Sequence, residues 1–246
     1  MPHKKTLKII FYSVICIILT YYVAILLHEY GHATAAWLFG YKHSPFDISY
    51  GNWLLMPVSE NVNYHAIFSS GHYMQGGLIG AAGISVTILL FIISLLCINQ
   101  KNILERPFYF LFFYWLAVIN LSELFTYIVT RSFASGDIGE FIYGMHISPF
   151  WVFIPGSIFA FLAVYRFFRY EIIKMYYLLN DCNIYIKRLF LYMSFWPLLL
   201  LPLYWSMPNT HRVIAIAANI LTAIIILFVF IACDPARSWV QKATHH

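Results

Sequence analysis

Apolar residues are gathered into six long stretches that polar segments separate. A helix needs about 20 apolar residues to cross the hydrocarbon core of a bilayer, and each stretch is of that order. The pattern predicts an all-α fold, a polytopic transmembrane helical bundle of about six spans. The predicted spans are 8–40, 74–98, 107–130, 149–168, 189–207 and 213–233.

Composition indicates the same class of protein. Hydrophobic residues make up 61% of the 246 residues and charged residues only 10%, and the mean hydropathy is +0.73. A soluble core of this size could not bury so many apolar side chains, whereas a lipid bilayer accepts them. We therefore expect an integral, multi-pass membrane protein that contacts lipid.

Two polar segments stand out between the spans. Segment 41–73 contains Pro45, Gly51 and Gly71, and it predicts turns with a short hairpin at the membrane surface. Segment 170–187 mixes aromatic with charged residues, which is typical of an interfacial amphipathic helix.

The distribution of Lys and Arg residues predicts the orientation of the bundle in the membrane. With the N-terminus inside, three of the 15 lie outside, Lys42, Arg131 and Arg212, and the others lie in cytoplasmic segments. This positive-inside bias places both termini in the cytoplasm. The net charge of +5 is then explained by basic residues that meet anionic lipid, so no nucleic-acid partner is predicted. No pattern in the chain specifies an oligomeric state.

A motif of the H-E-x-x-H type, His28-Glu29-Tyr30-Gly31-His32, lies near the outer end of the first span. Residues four apart share a helix face, so His28 and His32 can present two imidazoles to one Zn²⁺. Glu29 can then act as the general base on a bound water. The alternative is a pair of core histidines that are hydrogen-bonded between helices.

A hydrolytic zinc site needs a third protein ligand at the same membrane level. Asp137 follows the end of the third span, among small residues that allow close backbone approach, and it is the preferred candidate. Its alternative role is the N-cap of a short helix over 138–145. Glu123, which shares a helix face with Asn120, is the other candidate, either as ligand or as a partner that orients a ligating histidine.

A strip of glycines opens the second span. Gly76, Gly80 and Gly83 recur at helical spacing, with Gly77 beside them, and such small residues permit another helix to approach closely. We expect this strip to pack the second span against the helix of the motif.

The block His28-Glu29-Tyr30-Gly31-His32-Ala33-Thr34-Ala35-Ala36 resembles the H-E-x-G-H-A-x-x-A signature of the site-2 protease family of intramembrane zinc metalloproteases. In that family a helix that opens with small residues comes next, here 75–80, and a later segment carries an Asp ligand, here Asp137. The family commonly has Asn-x-x-Pro-x-x-x-x-Asp-Gly around that Asp. This chain has Asn120-Leu121-Ser122-Glu123 and Gly136-Asp137-Ile138-Gly139 instead.

The resemblance implies a catalytic three-helix core within residues 1–148, followed by C-terminal transmembrane helices in 149–246. It implies a zinc metalloendopeptidase that hydrolyses peptide bonds in or next to transmembrane segments of membrane proteins. The site would comprise His28, His32 and Asp137 as zinc ligands and Glu29 as the catalytic base. Two alternatives are a membrane zinc peptidase that processes lipidated ends, which usually takes a Glu as third ligand, and a non-enzymatic membrane scaffold.

The charge bias generates a test of topology. It sets the motif towards the outside, whereas in much of the resembling family the zinc lies nearer the cytoplasm. In a background lacking the four native cysteines, Ser59→Cys should be labelled only from outside and Lys242→Cys only from the cytoplasm, because the basic residues hold both termini inside. Labelling of position 59 from the cytoplasm alone would show that the topology is inverted.

Overall fold

The structure is a computed structural model that describes residues 2–53, 58–133, 135–204, 216, 220, 223–224 and 227–244. Within these ranges the fold is all-helical, and extended pairing is limited to one antiparallel bridge between Ser49 and Ser59. The helices are α1 (Pro2–Leu38), α2 (Tyr64–Ser69), α3 (Tyr73–Ile98), α4 (Lys101–Leu104), α5 (Pro107–Phe125), α6 (Asp137–Gly144), α7 (Phe150–Arg166), α8 (Ile172–Leu178), α9 (Ile184–Tyr204) and a short C-terminal helix (Ser238–Thr244).

Four helical segments are long and apolar enough to cross a membrane, and they coincide with the first four predicted spans. The fifth predicted span, 189–207, overlaps α9, and its residues 205–207 lie outside the described residues. The sixth, 213–233, falls on a segment that is described only at isolated positions and from 227 onward. The four segments are Lys4–Leu38, Tyr73–Ile98, Pro107–Val129 and Phe150–Leu178.

Helices α1, α3 and α5 pack side by side and form the part of the bundle that positions the site. Helix α5 is the most enclosed of the three, and Trp115 on it is among the largest fully buried side chains. It begins at Pro107, where the missing N–H removes no helical hydrogen bond. Helices α1 and α3 instead expose apolar residues such as Phe11 and Leu89, as a lipid-facing surface does.

Helix α7 does not end where the sequence predicts. It continues through a π-helical turn, Phe167–Glu171, directly into α8, so segment 170–187 does not form a separate interfacial helix. The reason is an internal ion pair cluster. The fully buried Glu171 carboxylate accepts hydrogen bonds from Arg166 at 2.7 Å and from Lys174 at 2.5 Å, and the apolar face of α8 packs into the core.

The segment between α1 and α3 is tied together by a buried lysine. The Lys42 ammonium donates hydrogen bonds to the backbone carbonyls of Asp47 and Glu60, the latter at 2.5 Å. These contacts join the two arms that also meet in the Ser49–Ser59 bridge. We call this side of the bundle, where α1 ends and α3 begins, the loop end.

The glycine strip of α3 faces three different elements. A Cβ at Gly83 would lie 2.2 Å from His32 Nε2, so this position faces α1. A Cβ at Gly80 would lie 2.8 Å from the Asp137 carbonyl oxygen, and one at Gly77 would lie 3.2 Å from the Cα of Gly144. Those two glycines therefore seat α6, and a Cβ at Gly76 would meet the Phe68 ring of α2.

The expectation that the whole strip packs on the motif helix is thus wrong for Gly76, Gly77 and Gly80. Because Gly80 faces the first residues of α6 and Gly77 faces its last, α6 runs antiparallel to α3 and outward to the loop end. A Cβ at Gly144 would lie 2.5 Å from the backbone nitrogen of Gly77, so this close approach requires glycine at position 144.

Candidate metal centre

Three side chains from two distant parts of the chain converge on one point. His28 Nε2 lies 3.1 Å from His32 Nε2 and 2.9 Å from Asp137 Oδ2, and His32 Nε2 lies 3.3 Å from the same carboxylate oxygen. Both histidines are buried and Asp137 is largely buried. The structure therefore brings together the three residues that the sequence proposes as ligands, and they form a possible metal-binding triad.

The outer nitrogen of each imidazole is already engaged. His32 Nδ1 lies 2.7 Å from the carbonyl oxygen of Ile79. A carbonyl can only accept, so His32 Nδ1 carries a proton, and in the neutral form of the ring the lone pair is at Nε2, facing the triad. The backbone of α3 thus fixes the tautomer that a metal requires.

His28 is oriented by a chain of two further side chains. The Thr87 hydroxyl donates to Glu123 Oε2 at 3.2 Å, which leaves its oxygen free to accept from His28 Nδ1 at 3.0 Å. Glu123 therefore reaches the site through Thr87. The Tyr127 ring stacks on the His28 imidazole, with centroids 5.2 Å apart, and restrains it from the other side.

Asn120 takes no part in this chain. Its amide nitrogen donates to the Leu116 carbonyl in its own helix at 2.7 Å, and its buried Oδ1 has no partner among the described residues. Thr87 is a residue that sequence reasoning missed. Its signal is a polar side chain one turn beyond Gly83, on the same face of an otherwise apolar span.

Asp137 is the first residue of α6 and not its N-cap. Gly136 occupies the cap position with φ 112°, a conformation that favours glycine, and no side chain caps the helix there. Burial alone would raise the pKa of the Asp137 carboxyl, but the two imidazoles outweigh burial and hold that pKa well below its usual range. The carboxylate is therefore present as the charged, ligating form.

The three inner atoms of the triad, two imidazole nitrogens and one carboxylate oxygen, converge on one point. At separations near 3 Å such a group is stabilised either by protons that the imidazoles share with the carboxylate or by a cation that takes their place. A tetrahedral ion with metal–nitrogen bonds of about 2.0–2.1 Å has ligand atoms about 3.3 Å apart, close to the three observed separations. The donor set and its spacing therefore fit a divalent metal.

Glu29 projects from α1 immediately beside the first ligand. Its Oε2 is buried and forms no hydrogen bond with any residue that the structure describes. A buried carboxylate oxygen without a partner is costly in a purely structural role. The observation fits an oxygen that accepts a hydrogen bond from a group present only when the metal or the substrate is bound.

The loop end adds acidic and aromatic groups beside the triad. Burial, followed by the negative charges of Glu60 and Asp137, raises the pKa of the Tyr64 hydroxyl well above its usual range. Burial and the same two carboxylates also raise the pKa of Glu140. Neither Glu60 nor Glu140 was singled out from the sequence, because no local spacing links either residue to the motif.

Comparison of the chain with protein-family models, with curated proteins and with solved structures found no match.

Metal content tests the triad directly. We expect about one divalent ion per purified chain, and His28→Ala, His32→Ala and Asp137→Asn should each abolish it by removing a donor. Glu123→Gln should retain the ion with an affinity lowered by about 10–100-fold, because it acts only through Thr87. Elemental analysis with competitive chelator titration measures both quantities. Wild-type metal content in both histidine variants would refute the site.

Gly83→Ala tests the space that the imidazoles occupy. The added methyl would lie 2.2 Å from His32 Nε2 and 2.8 Å from His28 Nε2, so it should displace both rings and lower metal affinity by at least ~100-fold. The matched control is Gly156→Ala, which adds the same methyl against the Ile128 side chain and should leave metal content unchanged. Equal metal affinity in the two variants would mean that Gly83 does not shape the site.

Proposed function

We propose that the protein is a zinc-dependent intramembrane metallopeptidase that resembles the site-2 protease family. The observation that carries the proposal is the convergence of His28, His32 and Asp137 lone pairs beside the unpartnered Glu29 oxygen. Two imidazoles and one carboxylate are a ligand set that catalytic zinc uses, with a fourth position left for water.

Each residue has a distinct part in the proposed reaction. Zn²⁺ held there would lower the pKa of its bound water towards about 7 and polarise the scissile carbonyl. Glu29 accepts the proton of the attacking water at its free carboxylate oxygen and donates it to the departing amine. The Ile79 carbonyl and the Glu123–Thr87 pair keep both imidazoles in the metal-binding tautomer throughout the cycle.

The proposed substrates are membrane proteins cleaved in or next to a transmembrane segment. The histidines lie on a helix that is long and apolar enough to span the bilayer, and the third residue of the triad is the first residue of α6, which runs to the loop end. A helical peptide bond has its carbonyl engaged in the i→i−4 pattern, so the substrate must unwind locally before its carbonyl can be attacked.

The position of Glu123 weighs against a peptidase that uses Glu as its third ligand. Its carboxylate accepts from Thr87, whereas Asp137 Oδ2 lies within 3.3 Å of both imidazoles. A non-enzymatic scaffold does not account for the buried Glu29 oxygen, which has no partner among the described residues. Such a group destabilises the fold, and a scaffold would gain no stabilising contact from it.

The role of Glu29 separates an enzyme from a scaffold. Glu29→Gln should keep the metal and the fold but reduce cleavage by about 10²–10⁴-fold, because an amide cannot accept the water's proton. Cleavage is measured in detergent on a fluorogenic library of apolar peptides that carry a central Gly-Pro break. Glu105→Gln, a change to an exposed carboxylate away from the triad, is the control and should cleave normally. Undiminished cleavage by Glu29→Gln would rule out this mechanism.

A further inference from the structure

Two cavities flank α6 at the loop end of the bundle. One, of about 380 Å³, has seven lining residues: Tyr64, His65, Phe68, Ser69, Tyr73, Glu140 and Tyr143. The other, of about 530 Å³, shares Glu140 and Tyr143 and continues past His146. We call the first the aromatic cavity.

Aromatic rings form the walls of the aromatic cavity. The Phe68 and Tyr143 rings meet edge to face with centroids 4.8 Å apart, and the Tyr73 ring lies 5.8 Å from Tyr143 and 6.0 Å from Phe68. Their faces carry negative electrostatic potential, which attracts ammonium and guanidinium groups. The rings also hold one another in place, so the cavity is preformed.

Glu140 supplies the single carboxylate of this cavity. Within the described ranges, it forms no ion pair and its side chain makes no hydrogen bond, and no Lys or Arg lines the cavity. A half-buried carboxylate between aromatic rings is complementary to one cationic side chain, which would supply the missing counter-charge.

The cavity and the triad share the first turn of α6. Glu140 follows Asp137 by three residues, a rise of about 4.5 Å along the helix axis. A Cβ at Gly80 would contact both residues, so α3 packs against this turn and holds the two positions relative to each other. A side chain bound in the cavity therefore lies one helical turn from a residue of the triad.

We propose that the aromatic cavity binds a Lys or Arg side chain of the substrate, close to the bond that is cleaved. The proposal rests on the proposed peptidase function and names its substrate class: membrane segments with a basic residue beside a locally unwound stretch. Glu140 pairs with the cation, and Tyr73 and Tyr143 contact its charged face. Binding of the Lys or Arg side chain in the cavity positions the scissile carbonyl at the triad. The cavity takes no part in the hydrolysis itself.

The test is a binding measurement that does not depend on cleavage. The probe is a fluorescent Leu/Ala-rich transmembrane peptide with a Gly-Pro break and one Lys beside it, compared with the same peptide bearing norleucine or Glu in place of Lys. Binding is measured by anisotropy to full-length, metal-loaded Glu29→Gln protein in phosphatidylglycerol nanodiscs. The Lys peptide should bind about tenfold more tightly than the norleucine peptide.

Variants of the cavity sharpen the result. Glu140→Gln is isosteric and should keep the metal, but it should bind the Lys and norleucine peptides equally. Glu140→Lys should bind the Glu peptide more tightly than the Lys peptide. Glu60→Gln, a neighbouring carboxylate that does not line the cavity, is the matched control and should keep the Lys preference. Equal affinity of the unmodified cavity for the Lys and norleucine peptides overturns the proposal, whatever the variants do.

A lipid headgroup is the competing source of a cation. If phosphatidylcholine nanodiscs abolish the Lys preference that phosphatidylglycerol nanodiscs show, the occupant is a choline headgroup and the proposal is overturned. Failure of the peptidase itself is distinguishable, because loss of cleavage in the native chain leaves the binding preference intact. Cleavage that shows no dependence on Lys, together with equal binding, overturns only the inference about the cavity.

Discussion

The close approach of α3 to both α1 and α6 is the constraint on which the site depends. The motif supplies two ligands from one helix, but the third comes from a segment more than a hundred residues later in the chain. It reaches the imidazoles only because Gly80 and Gly77 let the backbone of α6 lie directly on α3. Gly83 leaves the volume that the two rings fill. Small residues provide such contact in membranes, where no hydrophobic drive holds helices together.

The same helix α3 also orients the two imidazoles. It contributes the Ile79 carbonyl to His32 and the Thr87 hydroxyl to His28, so each ring has a partner for a proton on the nitrogen that faces away from the triad. A single helix therefore holds both rings of the possible metal-binding triad in place. This explains why polar groups are tolerated on one face of an otherwise apolar span: each of them is paired.

Sequence reasoning recovered what is local and periodic. The i, i+4 histidines, the first four spans and Asp137 follow from helical spacing, span length and small flanking residues, and the structure places these residues as described. Thr87 was missed because its partners, His28 and Glu123, lie far away in the chain, and Glu140 was missed because most of the residues that line the cavity with it belong to other segments. The extension of α7 into α8 was missed for a related reason: Glu171 looks like a surface charge until its pairing with Arg166 and Lys174 is known.

In the proposed peptidase, helix α6 would link metal binding to the choice of substrate. Its first residue belongs to the possible metal-binding triad and Glu140 lies one turn later, so a displacement of α6 on the glycines of α3 would alter both positions at once. The orientation of the bundle then decides how selective the aromatic cavity is. Basic residues are scarce on the outer flanks of transmembrane segments and abundant on the cytoplasmic flanks. A cavity for Lys or Arg that opens outward accepts few segments, whereas the same cavity opening to the cytoplasm meets a suitable residue in most of them. If the chain is the peptidase proposed above, its topology would therefore determine its specificity as well as its insertion.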